Sequence, residues 1–139
     1  MVKIRYTFFM STNSCIFCKI VRKELPSYQL YEDADYTAFL DITPRVVGHT
    51  LLIPKLHVRW VYEIPQFEKF WATALKITHA IQKALSPEFV TYVTHGLEVN
   101  HAHLHILPRK KSDTALIPSP IAITKAEYEE VAKKIRKSF

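Results

Sequence analysis

The chain has 139 residues and a mass of 16.2 kDa, which is the length of one domain with an ordinary hydrophobic core. Apolar residues make up 48% and aromatic residues 12%, which excludes a disordered chain, and no apolar run approaches the ~20 residues of a membrane helix. The formal charge of +6 favours anionic partners, although part of it is concentrated near the C-terminus. A basic surface does not by itself indicate nucleic-acid binding. Because residues 2–10 lack the long apolar core of a signal peptide, we expect a cytoplasmic protein.

The chain begins with a segment, residues 1–13, that we interpret as an extension carrying an extra strand, since residues 2–8 alternate apolar and polar. A short helix is expected over residues 16–22. Apolar and β-branched runs bounded by turn residues predict four further strands. These strands cover residues 29–31, 36–40, 50–54 and 89–94.

One long helix is predicted from Phe67 to Leu85, where apolar residues recur at helical spacing between Pro65 and Ser86. Thr124 opens a capping box for a C-terminal helical tail over residues 124–139. Strands outnumber helices, and most connections are too short for parallel crossovers. The sequence therefore predicts an α+β fold with an antiparallel sheet, in a single domain over residues 1–139.

The most informative segment is His101-Ala102-His103-Leu104-His105. Successive strand side chains point to opposite faces, so a strand over residues 101–107 would place three imidazoles together and the apolar residues in the core. Neutral imidazole attacks phosphorus, and neighbouring imidazoles can donate protons to the phosphoryl oxygens and the leaving group. A pure metal site and an exposed polar face are the other interpretations, but three histidines at strict alternation favour catalysis.

This segment, continued to Arg109, resembles the His-x-His-x-His signature of the histidine-triad (HIT) superfamily. Residues 15–20, 39–44 and 48–57 are also similar to family segments, in the usual order, so the resemblance covers residues 15–109. It implies a HIT-like fold of about five antiparallel strands with one long helix, a short N-terminal helix and a C-terminal helix. It also implies a two-fold homodimer.

The resemblance implies a nucleotide-binding hydrolase or transferase in which His103 attacks the α-phosphate of a 5′-nucleotide conjugate. His105 would lie near the leaving oxygen, His101 would complete the triad, and Asp41 would hold the ribose hydroxyls. Five apolar residues would form the slot for a purine base: Ile16, Phe17, Ile20, Phe39 and Ile42.

Cys15 and Cys18 have the spacing of a zinc-ligand pair, whereas a thioredoxin-type redox motif needs a βαβ unit that is not predicted. Relatives with this motif bind structural zinc, and the resemblance implies His57 and His101 as the remaining ligands. His49 is a competing fourth ligand. Alternatively the thiols stay reduced and metal-free, and the two histidines orient the nucleophile.

Residues 96–99, Gly-Leu-Glu-Val, depart from the Gly-Gln-x-Val that usually precedes the triad, where x is Ser or Thr in many members. Glu98 replaces the hydroxyl that often contacts a phosphate oxygen. An upstream Asn that helps to hold the α-phosphate is also missing, and Thr94 or His95 lies nearest to its place. Losing such donors can cost about 3 kcal/mol of transition-state stabilisation, so a slow enzyme or an unusual substrate is an open alternative.

Two classes of function follow from the sequence. The first is hydrolysis of nucleoside phosphoramidates or related conjugates, with dinucleoside polyphosphate cleavage or nucleotidyl transfer as alternatives in the same class. The second is a nucleotide-binding protein without catalysis, for which residues 96–99 are the best support. A zinc-finger-like nucleic-acid module is not favoured, because the histidine spacing is that of a strand rather than a recognition helix.

Overall fold

The computed structural model describes residues 12–139, so the extra strand predicted near the N-terminus falls outside the described residues. Five antiparallel strands form one sheet in the order β1-β2-β3-β5-β4. The strands are β1 (Gln29–Glu32), β2 (Tyr36–Leu40), β3 (Thr50–Pro54), β4 (Phe89–Val93) and β5 (Leu104–Arg109). The helices are α1 (Ile16–Val21), α2 (Phe67–Leu85) and α3 (Lys125–Arg136), with a 3-10 turn at Val61–Glu63. The α+β class and the five-stranded antiparallel sheet are confirmed.

One face of the sheet carries α2 and α3. Helix α2 turns Phe70, Ala74, Ile77 and Ile81 inward, and all four are fully buried at the spacing of one helical face. Its last turn closes when Ser86, in the left-handed conformation, donates its N–H to the Gln82 carbonyl. Helix α3 begins at the predicted capping box of Thr124 and packs beside α2. These two helices form the main core with the alternate residues Ala38, Leu40, Leu52, Leu104 and Ile106 of the sheet.

The opposite face of the sheet carries the short helix α1. Phe39, Leu51 and Ile53 point to this face and form a second cluster with Phe17 of α1. Because both faces are covered, every residue of β2 and β3 is buried. This explains why residues 50–54 read as a continuous apolar run rather than an alternating one.

Strand β5 begins at Leu104, three residues later than predicted. Its pairing with the neighbouring strand β3 ends at Leu52 and Leu104, two residues before β3 itself ends at Pro54. Ala102 instead donates its N–H to the Val58 carbonyl at 2.7 Å, so the first part of the histidine segment runs beside the loop that follows β3. Within residues 12–139, no helix has both the length and the apolar character needed to cross a membrane.

Candidate functional site

The position of the His103 ring is set by the backbone of the same segment. Its Nδ1 atom lies 2.7 Å from the carbonyl oxygen of His101, and because a carbonyl only accepts, Nδ1 carries the proton. The neutral ring therefore has its lone pair at Nε2. Phe17 packs edge-on against this ring, with centroids 5.3 Å apart. A buried, oriented Nε2 that carries the lone pair of the neutral imidazole has the properties of a nucleophile.

His105 is oriented through a second histidine, His49. The backbone N–H of Arg45 donates to His49 Nδ1 at 3.0 Å, so the neutral His49 ring carries its proton on Nε2. That atom lies 2.8 Å from His105 Nδ1 and donates to it. His105 consequently carries its own proton on Nε2, where it is available as a hydrogen-bond donor.

Burial keeps this pair of histidines neutral. Loss of solvation, followed by the neighbouring His49 and His103, lowers the pKa of His105 to about 4. Burial also lowers the pKa of His49, against the opposing effect of Asp41. Both rings are therefore uncharged at neutral pH in the absence of an added anion.

Asp41 follows directly after β2 and lies beside the two histidines. Its Oδ1 accepts from the backbone N–H and the hydroxyl of Thr43 at 2.8 and 3.0 Å. Its Oδ2 lies 3.4 Å from His49 Nε2 and 3.9 Å from His105 Nδ1. The buried Tyr128 hydroxyl donates to the Asp41 carbonyl at 2.9 Å, which ties this position to α3.

These side chains border a cavity of about 370 Å³. That volume is within the range of small-molecule sites. Its lining consists of Asp41, Thr43, Arg45, His49, Val93, His95, Gly96, Leu97, Glu98, His103, His105, Leu107, Ile117 and Pro120. The wall thus includes the unusual residues 96–98 and part of the segment that leads to the C-terminal helix.

The five apolar residues expected to hold a base divide into two groups. Phe17, Ile20 and Phe39 belong to the cluster on the α1 face of the sheet. Ile16 and Ile42 are exposed, with 43% and 72% of their surface accessible. None of the five is among the described residues that line the 370 Å³ cavity.

The structure brings together the four predicted zinc ligands Cys15, Cys18, His57 and His101, whose ligand atoms all lie within 4.8 Å of one another. Three of the Sγ–Nδ1 distances are 3.2 to 3.5 Å, and the two histidine Nδ1 atoms are 3.2 Å apart. Tetrahedral zinc with bonds of ~2.0 to 2.3 Å would hold its ligand atoms about 3.3 to 3.8 Å apart. The donor set and its spacing fit zinc.

Protonation supports this fit at His101. Its Nε2 lies 2.8 Å from the Pro54 carbonyl and donates to it, which leaves the lone pair on Nδ1, the atom that faces the thiols. Burial, reinforced by Cys15, raises the pKa of the Cys18 thiol to about 12. A thiol with so high a pKa is a poor redox nucleophile, whereas a bound zinc ion would favour its deprotonation.

A second group, Asp41, His49 and His105, also has ligand atoms within 4.8 Å. A metal at His49 Nε2 would need a lone pair there, but the Arg45 N–H already donates to Nδ1 and places the proton on Nε2. The geometry therefore favours a hydrogen-bonded relay in this group. His49, which was a competing zinc ligand by sequence, bonds to His105 instead.

A family profile described as HIT domain matches residues 22–112. An uncharacterized HIT-like protein of Methanocaldococcus jannaschii is 38% identical over 128 residues, which is 88% of this chain and 98% of that protein. The chain belongs to the HIT domain family. The family resemblance recognised in the sequence is thereby confirmed.

Two similar proteins carry names that state an activity. Adenosine 5′-monophosphoramidase HNT1 of Saccharomyces cerevisiae is 36% identical over 109 residues, covering 75% of this chain and 68% of that protein. Adenylylsulfatase HINT3 of Arabidopsis thaliana is 40% identical over 108 residues, covering 73% of this chain and 55% of that protein. At the level of the family, these relatives support a nucleotide hydrolase.

Solved structures agree on the fold. A histidine triad nucleotide-binding protein of Sulfolobus tokodaii, described as hypothetical, has a TM-score of 0.80 and 30% identity, covering 89% of this chain and 91% of that one. A zinc-bound histidine triad family protein of Mycobacterium smegmatis has a TM-score of 0.71 and 28% identity, covering 92% and 94%. The HIT-like fold is confirmed.

Two contributors to the site were missed by the sequence interpretation. His49 was considered as a competing zinc ligand or a structural histidine, although the alternation of β3 places it on the same face as Leu51, which pairs with His105. Arg45 was not considered at all. A basic residue after Pro44 has no distinctive sequence signal, and its place on the cavity wall follows only from the fold.

Proposed function

We propose that this protein cleaves 5′-nucleotide conjugates, of the nucleoside phosphoramidate type, at the α-phosphate through His103. The observation that carries the proposal is the 2.7 Å contact between His103 Nδ1 and the His101 carbonyl, which in the neutral imidazole places the lone pair on Nε2 beside the cavity. His101 thus acts through its backbone as well as through its proposed zinc-binding ring.

In the first step, His103 Nε2 attacks the α-phosphorus, and the bond from phosphorus to the leaving group breaks. The negative charge of a bound phosphate favours uptake of a proton by His105, and the protonated ring gives its Nε2 proton to the leaving atom. In the second step, water attacks the nucleotidyl-histidine and passes its proton to His105. The products are the 5′-monophosphate, the protonated leaving group and free His103.

For nucleotide binding, we propose that Asp41 holds the ribose hydroxyls, with Oδ2 as the acceptor because Thr43 occupies Oδ1. The apolar slot for a purine base would consist of the five residues named above: Ile16, Phe17, Ile20, Phe39 and Ile42. The exposure of Ile16 and Ile42 is compatible with a surface that a base would cover.

We further propose that Cys15, Cys18, His57 and His101 bind one structural zinc ion. The fit of the ligand spacing supports this, as does the free state of both thiols. Zinc bound there would join α1 to the segment that carries the nucleophile. The chemistry it supplies is cross-linking, because a closed set of four protein ligands leaves no position for substrate.

The test compares the protein with its His103→Ala variant on adenosine 5′-phosphoramidate and on a dinucleoside polyphosphate, with AMP release followed by chromatography. We expect the parent to form AMP from the phosphoramidate and the variant to form none. Faster cleavage of the polyphosphate would favour the dinucleoside polyphosphate hydrolase. A nucleoside diphosphate formed when inorganic phosphate is present would identify a nucleotidyltransferase.

The competing candidate is a nucleotide-binding protein without catalysis. It is favoured by one observation, that Glu98 contributes a carboxylate to the cavity wall where related sequences often have a hydroxyl. No AMP from either substrate, together with AMP binding that survives His103→Ala, would contradict the hydrolase and support this candidate.

We also propose that the protein works in the cytoplasm as a homodimer. Within the described residues β4 is an edge strand, and beside it the buried Trp71 Nε1 has no hydrogen-bond partner. Leu75 and Tyr92 expose 51% and 40% of their surfaces nearby in the fold. Light scattering tests this: a mass near twice 16.2 kDa is expected, and a monomer would contradict it.

A further inference from the structure

Arg45 is a fixed cation on the wall of the cavity. Its Nη1 atom donates to the Pro118 carbonyl at 2.6 Å, and the backbone beside it is held because Ile121 donates its N–H to the Pro44 carbonyl at 2.8 Å. Two contacts therefore join the turn that carries Arg45 to the segment over residues 118–121. Arg45, which lines the cavity, is partly buried, and its guanidinium is held by the Pro118 carbonyl.

Most of the hydrogen-bonding capacity of Arg45 remains available. A guanidinium has five N–H donors in a planar fork, which suits the paired oxygens of sulfate, phosphate or carboxylate. Among residues 12–139, the acceptor that this side chain reaches is the Pro118 carbonyl, and no carboxylate lies within ion-pair distance of it. A ligand in the cavity could therefore use the remaining donors.

Arg45 is connected to His105 by hydrogen bonds, and both residues line the cavity. The backbone N–H of Arg45 bonds to His49, and His49 bonds to His105, so the three residues form a continuous series. After burial, the Arg45 charge adds to the causes that lower the pKa of both histidines. Asp41 acts on His105 in the opposite sense: its Oδ2 lies 3.9 Å from His105 Nδ1, while its Oδ1 accepts from Thr43.

Asp41 and Glu98 are the acidic residues that line the cavity. Asp41 is assigned above to the ribose, and Glu98 would repel an anion. Its side chain is exposed, whereas Arg45 is partly buried and held by Pro118. A buried, immobilised charge acts more strongly on a bound ligand than an exposed one, because water and salt screen the latter. Arg45 is therefore less screened than Glu98, and it is the one Lys or Arg among the described residues that line the cavity.

We propose that Arg45 is a specificity-determining residue that favours nucleotide conjugates whose leaving group is itself a tetrahedral oxyanion. This inference rests on the proposed function, in which His105 protonates the leaving atom. A sulfate or phosphate group joined to the α-phosphate would place its outer oxygens next to His105, where the Arg45 fork can bind them. A leaving ammonia has no such oxygens and gains nothing from Arg45.

Binding is the decisive measurement, because it does not depend on turnover. In the His103→Ala background, calorimetry would compare adenosine 5′-phosphosulfate, ADP and AMP as ligands, with and without Arg45→Gln. We expect Arg45→Gln to weaken the binding of the phosphosulfate and of ADP at least tenfold, and to weaken the binding of AMP less than twofold. A larger loss for the phosphosulfate than for ADP would assign the preference to sulfate, and the reverse would assign it to phosphate.

Two matched variants separate charge from structure. Arg45→Lys keeps the charge without the fork and should recover part of the lost affinity. Glu98→Gln removes a charge of opposite sign from the same wall and should not weaken the binding of the phosphosulfate. If Arg45→Gln lowered the affinity for AMP and for the phosphosulfate equally, or lowered neither, the inference would be overturned. The AMP-release assay judges the proposed hydrolase separately, since binding preference and turnover can fail independently.

Discussion

The Nε2 atom of His49 lies 2.8 Å from the Nδ1 atom of His105, although 56 residues separate the two in the chain. Because Arg45 donates its backbone N–H to the far side of the His49 ring, the direction of both hydrogen bonds is set by the backbone. The series ends at the Nε2–H of His105, beside the cavity. His49 is thus a positioning residue for His105.

Replacing His49 should impair turnover more than binding. We expect His49→Leu to lower kcat at least about tenfold, because His105 loses the donor that fixes its tautomer. His49→Gln keeps an N–H donor near His105 and should retain more activity than His49→Leu. Steady-state kinetics on adenosine 5′-phosphoramidate, with ¹⁵N NMR of the imidazole nitrogens, checks both points. Equal kcat in the two variants, at equal thermal stability, would contradict the positioning role.

Zinc content should depend on the cysteines and not on His49. We expect about one zinc ion per parent chain, almost none in Cys18→Ser, and the parental content in His49→Leu, because His57 and His101 face the thiols whereas His49 bonds to His105. Elemental analysis of the purified proteins gives the ratio. Removing the metal with a chelator should lower the melting temperature of the parent but not that of Cys18→Ser. If the parent protein contained no zinc even after refolding with excess zinc, the proposed site would be contradicted.

The elements that the sequence located well are those with a strong local signal. Helix α2 was predicted from Phe67 to Leu85 and has those bounds, because its apolar spacing and both flanking turns are encoded locally. The start of β5 was predicted three residues early, since alternation does not reveal that its pairing with β3 ends at Leu52 and Leu104. Local patterns thus defined the elements better than their pairing.

The site could be predicted in part. The cysteine–histidine cluster was predicted from family resemblance, and the structure assembles all four residues. The bond between His49 and His105 was not predicted, because it depends on the register that pairs Leu51 with His105. The place of Arg45 depends on contacts with residues 118–121, which have no regular secondary structure. Long-range packing, rather than any local motif, determines these two features.

Gly48 sets the approach of the chain to His49, and its replacement should destabilise the fold. Its φ of +86° is in the region that favours glycine, and an added Cβ would lie 2.5 Å from Leu85 Cδ1. We expect Gly48→Ala to lower the free energy of unfolding by about 2 kcal/mol, measured by urea denaturation. In the double variant with Leu85→Ala the loss should be smaller than the sum of the two single losses. Strict additivity would show that the side-chain clash is not a cause.

Acid should destabilise the zinc-free protein through its buried histidines. Burial lowers the pKa of both His101 and His105 to about 4, whereas the unfolded chain titrates near 6.5. Between these values the unfolded state binds more protons than the folded state, so stability rises with pH across this window and falls as the protein is acidified. Each histidine lowers the free energy of unfolding by about 3 kcal/mol over this window, and the full decrease is reached below pH 4.

Urea denaturation at pH 7.0, 6.0, 5.0 and 4.5 would measure this dependence in chelator-treated protein. His105→Asn removes one titrating ring, so its free energy of unfolding should fall less steeply with acid than that of the parent. His79 provides the matched control, because it is on the exposed side of α2 and His79→Asn should leave the slope unchanged. If His105→Asn kept the full parental slope, burial of His105 would not be a source of the acid sensitivity, and its neutral state at the site would be in question.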